Sequence, residues 1–157
     1  MSFGTVSLFD DGGTVRFERE IAASIETVWE AITAGARLSD WLAPCSFDAR
    51  LGGEVHVDFG EGQRVNGHVT DWQPPSRLEY TWNFTDEPDS ILLFELEGSS
   101  GATMLTLEHR KLPPEQSAGY GAGWHAHLDM LRATVEGTAP VDWEQRFNSV
   151  LYSYLRA

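Results

Sequence analysis

Residues 117–137 read SAGYGAGWHAHLDMLRATVEG, and the rest of the chain is arranged by what this segment must lie against. On a 3.6-residue period, Tyr120, Trp124, Leu128, Leu131 and Val135 fall on one apolar stripe, with Asp129, Ala133 and Glu136 elsewhere, so the spacing predicts a helix over 119–136. Gly121 and Gly123 each weaken helix propensity by roughly 1 kcal/mol relative to alanine, which points to close approach by a neighbour or a mobile helix entrance. Gly137 supplies the stop. His127 leans toward the stripe, about 60° from its centre, whereas His125 and Arg132 lie near the opposite border. His127 is therefore either a boundary histidine bonded to a strand or water, or a group for binding or chemistry.

Most of what precedes this helix reads as strand. TVRFEREI, residues 14–21, alternates Val15, Phe17, Arg19 and Ile21 against polar positions, a half-buried strand with one charged interruption. Ser24 caps a helix in which Ile25, Val28, Trp29 and Ile32 share a face, with Gly35 ending the run. A second short helical piece carries Leu38, Trp41 and Leu42 before Pro44 stops it. From Cys45 to His109 the pattern changes to strands separated by turns. Val55, Val57 and Phe59 alternate with His56 and Asp58, Gly60-Glu61-Gly62 reads as a hairpin turn, and Leu78, Tyr80, Trp82 and Phe84 share one face. Leu92, Phe94 and Leu96 follow, then the turn GSSG, then Leu105 and Leu107. After the long helix, Pro140 can open a tail helix over 140–156 whose stripe is Trp143, Phe147, Val150, Leu151 and Tyr154, packed on its own domain or across a dimer.

Strands and helices segregated in this way argue an α+β fold in which an antiparallel sheet of about six to seven strands wraps the long helix. With 157 residues, the chain is the size of one domain spanning 1–157, with a core over about 14–136. No run of 18 apolar residues occurs and the N-terminus has no basic leader, so the expectation is a soluble, cytoplasmic protein. Cys45 stands alone, which excludes an internal disulfide and a thiolate metal cluster. The 24 acidic against 11 basic residues give a formal charge of −13, with no basic cluster to neutralise phosphates. Nucleic acid and anionic membrane are thus not the expected partners.

The five histidines contain no HExxH pair, and His125 and His127 on a helix point their rings about 200° apart. No metal and no cofactor are expected, because nucleophile elbows, phosphate-binding loops and dinucleotide fingerprints are also missing from the sequence. Glu95 and Glu108 stand on strands with mixed faces, so their direction is ambiguous. Aromatic residues carry more information: the six tryptophans lie largely on apolar faces, where large rings fill a core or line a pocket.

Several segments together resemble a known superfamily. They are Val28-Trp29, Trp41-Leu42-Ala43-Pro44, the Leu51-Gly52-Gly53 turn, Gly67-His68-Val69 through Pro74-Pro75-Ser76-Arg77-Leu78, Tyr80-Thr81-Trp82, Leu107-Glu108-His109, and Gly123-Trp124 with Leu128 and Leu131. In this order, over about residues 14–136, the chain resembles the SRPBCC superfamily, the helix-grip fold of birch-pollen-allergen-like proteins, lipid-transfer domains and polyketide cyclases. Within it, the chain is similar to the activator of heat-shock-protein ATPase homologue family. The resemblance implies a cavity between sheet and helix but does not choose among binder, carrier and enzyme.

The expected cavity wall is Trp41 from the short helical pair, Val57, Phe59, Tyr80, Trp82 and Phe94 from the sheet, and Tyr120, Trp124, His127 and Leu131 from the helix. His127 and Tyr80 are the groups expected to orient a polar ligand atom. The leading expectation is binding of a small apolar, ring-containing molecule by a monomer or homodimer. The alternatives are a cyclase- or hydrolase-type enzyme using His127 or an inward carboxylate, and a protein-interaction module with a chaperone partner.

Overall fold

A computed structural model describes residues 2–156, so the ends of the expected 1–157 domain, Met1 and Ala157, lie outside it. Eight antiparallel strands form one sheet: β1 (Thr5–Phe9), β2 (Gly12–Ile21), β3 (Cys45–Phe47), β4 (Glu54–Gly60), β5 (Gln63–Gln73), β6 (Arg77–Phe84), β7 (Ser90–Ser99) and β8 (Ala102–Leu112). Their order across the sheet is β1-β2-β8-β7-β6-β5-β4-β3. Between β2 and β3 lie helices α1 (Ile25–Thr33) and α2 (Gly35–Trp41); after β8 and one 3₁₀ turn come α3 (Ser117–Glu136) and α4 (Trp143–Leu155). This is the expected α+β helix-grip arrangement, with one strand more at the N-terminal edge. Strand β1 escapes a periodicity reading because it is short and only Val6 of its side chains is half-buried.

The inner face of the sheet follows the period-2 pattern of the sequence. Val15, Phe17 and Ile21 of β2 are buried beside Leu105 and Leu107 of β8, and Leu78, Tyr80, Leu92 and Phe94 continue the layer. Arg19 occupies an inward position of β2 and is 2% exposed. It is not a solvated interruption, since its Nη1 donates to Asp129 Oδ1 of α3 at 2.6 Å.

The two short helices form the broken pair that the sequence suggests. The Ser24 hydroxyl accepts from the Thr27 N–H at 3.2 Å, capping α1, and Trp41 Nε1 donates to the Ala31 carbonyl at 2.9 Å, tying α2 to α1. The break falls at Ala34, and Gly35 opens α2 instead of ending α1. A side chain there would press on the Cys45 carbonyl, since an added Cβ would lie 3.3 Å from it.

Helix α3 departs from the expected single stripe. Trp124, Leu128 and Leu131 face inward as anticipated, but Gly121, Ala122, His125, Ala126 and Ala133 are buried as well. The reason is α4, which covers a second flank of α3. Tyr154 lies over Gly121 so closely that a Cβ would come within 2.8 Å of its ring, and this accounts for the glycine. The tail helix therefore packs on its own chain. It begins at Trp143, not Pro140, because Asp142 is the cap: its Oδ1 accepts from the Gln145 N–H at 3.1 Å.

Candidate functional site

A cavity of about 710 Å³ opens between α3, the β4–β5 hairpin, the end of β6 and α4. Each element brings side chains for a local reason. On α3, Gly119, Tyr120, Gly123, Trp124, His127 and Met130 recur at spacings of three and four and so share one flank, which Gln116 extends from the 3₁₀ turn just before the helix. Strand alternation puts Trp82 and Phe84 of β6 on the same face, with Phe59 of β4 near both, its ring centroid 6.2 Å from each. Leu42, Ala43 and Pro44 follow α2, while Trp143 and Phe147, one helical turn apart on α4, stack at 4.8 Å and close the remaining side.

Trp143 Nε1 is buried without a partner among the described residues, and the other polar atoms among these rings are largely satisfied within the protein. Trp82 Nε1 donates to the Tyr120 hydroxyl at 3.2 Å, and that hydroxyl donates to Glu87 Oε1 at 2.7 Å. Trp124 Nε1 donates to His109 Nδ1 at 3.0 Å. Because an indole N–H can only donate, His109 carries its proton on Nε2, which meets Ser90 Oγ at 2.7 Å; Ser90 in turn donates to the Trp82 carbonyl at 3.1 Å. Burial pushes the His109 pKa down to about 3, so the imidazole is neutral under ordinary conditions. Burial and the Glu87 carboxylate raise the Tyr120 phenol. His127 Nδ1 donates to the Trp41 carbonyl at 3.0 Å, and burial holds its pKa near about 4, an effect this hydrogen bond partly offsets. The neutral ring keeps Nε2 as an acceptor beside the cavity.

The ten residues expected to form the wall divide in two. Phe59, Trp82, Tyr120, Trp124 and His127 line the cavity; Trp41, Val57, Tyr80, Phe94 and Leu131 are on the inner side of the fold but belong to the packed core. The concave face is filled along part of its length. Phe47 packs edge-on against Tyr80 at 5.7 Å, Trp124 covers Phe94 at 6.4 Å, and Trp41 is committed to α1. The cavity lies at the end of the grip reached by the β4–β5 hairpin. Tyr80 does not reach the cavity, and Tyr120, whose hydroxyl donates to Glu87, does.

Gly121 meets a close neighbour, Tyr154, whereas Gly119 and Gly123 line the cavity. Neither Glu95 nor Glu108 turns inward: Glu95 pairs with Arg77, and Glu108 lies beside Arg16 and Arg110. The carboxylates on the cavity are Asp58, Glu61 and Glu87. Sequence reasoning missed Trp143 and Phe147 as wall residues, although their i, i+4 spacing and their lack of a partner were the available signal. Phe84 was legible as the next inward position after Trp82. Among the described residues, no group of three or more His, Cys, Asp or Glu side chains is arranged to hold a metal ion, and no helix is long and apolar enough to cross a membrane.

His109 makes the folded state sensitive to acid. Its folded pKa of about 3 lies below the usual unfolded value of about 6.5, so in that window the unfolded chain binds a proton that the native state refuses. Stability should be unaffected by this group above that window and fall as pH drops through it, by up to about 1.4 kcal/mol per pH unit. His125 and His127, both lowered to about 4, act in the same direction. Urea melts between about pH 7 and pH 4 should show a shallower decline for His109→Gln than for the parent. Parallel declines would contradict the neutral assignment of His109.

Comparison with known proteins agrees with this fold. Among curated proteins no sequence match is found. Among solved structures, CalU16 from Micromonospora echinospora superposes with a TM-score of 0.81 at 22% identity, covering 99% of this chain and 96% of that one. EF2215 from Enterococcus faecalis, a conserved protein of unknown function, gives 0.77 at 23% identity, covering 98% and 91%. DynU16, a putative protein in the dynemicin biosynthetic locus, gives 0.66 at 27% identity over 92% of this chain and 48% of that one. The family model described as Activator of Hsp90 ATPase homolog 1-like protein matches residues 22–136, from the end of β2 to the last residue of α3, and the chain belongs to that family, on the helix-grip fold of the SRPBCC superfamily.

Proposed function

We propose that this protein binds a small apolar, ring-containing molecule in the cavity between α3, the sheet and α4. The observation that carries the reading is the cavity itself: about 710 Å³, walled largely by aromatic rings, with the indole N–H groups of Trp82 and Trp124 already bonded inside the protein. Such a surface offers ring faces and few free polar atoms, the usual form of a small-molecule site. The similarity to DynU16, described from a biosynthetic locus, suits a role in small-molecule chemistry. A cyclase- or hydrolase-type reaction would draw on His127 as a base. With its pKa lowered to about 4, however, that imidazole is a weak base at neutral pH, while its unprotonated Nε2 can still accept a hydrogen bond from a ligand hydroxyl or amine. A protein-interaction role of co-chaperone type makes no use of the cavity.

The test is binding of an apolar fluorophore such as Nile red, with native mass spectrometry of gently purified protein to reveal a retained ligand. Binding should quench tryptophan emission, because Trp82, Trp124 and Trp143 lie on the wall. Gly123→Leu places a side chain in the cavity, where a Cβ meets only Trp143 at an ordinary 3.8 Å, and it also favours the helix. Affinity should fall by about tenfold or more, about 1.4 kcal/mol. Equal affinity of parent and variant, or no binding by either, would overturn the proposal.

A further inference from the structure

The charges around the cavity are all of one sign. Asp58, Glu61 and Glu87 line it, and among the described residues no lysine or arginine does. None of the three carboxylates belongs to an ion pair among the described residues, although nine acidic residues elsewhere, Asp71 and Asp129 among them, lie within 4 Å of an arginine. Arg64 stands across the β4–β5 ladder from Asp58 yet makes no such pair and does not reach the cavity wall. Two of the carboxylates are held in place by the protein: Asp58 Oδ1 accepts from the Gly60 N–H at 2.8 Å, and Glu87 Oε1 accepts from the Tyr120 hydroxyl at 2.7 Å. Each keeps a second oxygen uncommitted. Glu61 sits at the tip of the hairpin with φ of 55°, so the backbone aims this turn in one unusual conformation.

Un-neutralised carboxylates beside a cavity whose walls are aromatic favour one kind of guest. Ring faces carry negative quadrupole potential and attract cations, a carboxylate adds direct attraction, and both act more strongly where water is displaced. An anionic guest meets repulsion from all three carboxylates. Resting on the reading of the cavity as a small-molecule site, we infer that its ligand is an organic cation: an apolar ring system bearing a protonated amine, with the rings between α3 and α4 and the charge toward Glu87 and Glu61.

The test compares two tricyclic dyes of similar shape, proflavine, which is cationic at neutral pH, and acridine, which is neutral there. Proflavine should bind the parent protein at least about tenfold more tightly than acridine in low salt. In the double variant Glu61→Gln/Glu87→Gln, whose amide oxygen at position 87 can still accept from the Tyr120 hydroxyl, the ratio of the two affinities should fall toward one. Equal binding of the two dyes to the parent, lost for both in Gly123→Leu, would overturn the inference about charge while leaving the cavity as the site. An undiminished preference for proflavine in the double variant would overturn it too, by tracing the attraction to the overall charge of −13. If neither dye binds, or if both bind Gly123→Leu as well as the parent, the cavity reading fails and the inference falls with it.

Discussion

Replacing Asp129 by alanine should cost about 3 to 5 kcal/mol of folding stability, because it strands a buried cation. Arg19, on the inner face of β2, is 2% exposed, and Asp129 Oδ1 at 2.6 Å is its one carboxylate partner among the described residues. Two further bonds from its guanidinium reach only the Ser2 carbonyl, at 3.2 and 2.9 Å. The same carboxylate also receives Arg146 of α4 and faces His125 Nε2 at 3.5 Å. Removing it thus loosens the seam at which β2, α3 and α4 meet. Desolvation lowers the Arg19 pKa, yet a guanidinium stays charged and cannot escape by losing its proton. Guanidinium chloride melts would measure the loss. The double change Arg19→Met/Asp129→Leu should recover much of it, since an apolar pair of similar volume removes both the charge and its need for a partner. A loss below about 1 kcal/mol for Asp129→Ala would mean that water reaches Arg19 in the native state.

Leu131→Ala should cost about 2 to 5 kcal/mol. Its side chain is fully buried in the core cluster and is not among the residues that line the cavity. Deleting it leaves a void that the close-packed core around it closes only in part. The position is informative because Leu131 was expected on the cavity wall. A truncation beside an open cavity would lose less than one inside a packed layer. Melts giving under about 0.5 kcal/mol would place Leu131 against the cavity after all, and an increase in Nile red affinity would point the same way.

His125 and His127 show how neighbouring residues of one helix acquire different surroundings. Both carry lowered pKa values, and for both the first cause is burial. His127 lies against the cavity and is fixed by the Trp41 carbonyl. His125 is fully buried, with Nδ1 2.8 Å from the Tyr154 hydroxyl, which itself accepts from the Gly4 N–H at 2.9 Å. The Asp129 carboxylate facing Nε2 favours the imidazole proton on that nitrogen, which leaves Nδ1 to accept from the hydroxyl. A helical wheel drawn for α3 alone sets His125 at the polar border, since nothing in the periodicity of residues 117–137 announces that α4 will cover that flank.

What the sequence by itself determined is whatever local periodicity and turn chemistry can encode. The alternation in β2, β4, β6, β7 and β8, the Ser24 cap, the Gly137 stop with its φ of 71° and the apolar face of α3 are each written within a short stretch of chain, and the ordered segments carried the family. The same alternation identified Phe59 and Trp82 as inward, and helix phase did so for Tyr120, Trp124 and His127. The tertiary structure alone decided where the grip is filled and where it is open. Val57, Tyr80 and Phe94 share a face with Trp82, but packing from Phe47, Trp124 and the α1–α2 pair occupies the space above them. It also decided that α4 folds back on α3, turning Gly121 into a seat for Tyr154 and Trp143 with Phe147 into a cavity wall. Periodicity reports which face of an element is apolar. Which neighbour covers that face, and whether a void is left beneath it, depends on side chains brought together from distant parts of the chain, as between Arg19 and Asp129, 110 positions apart.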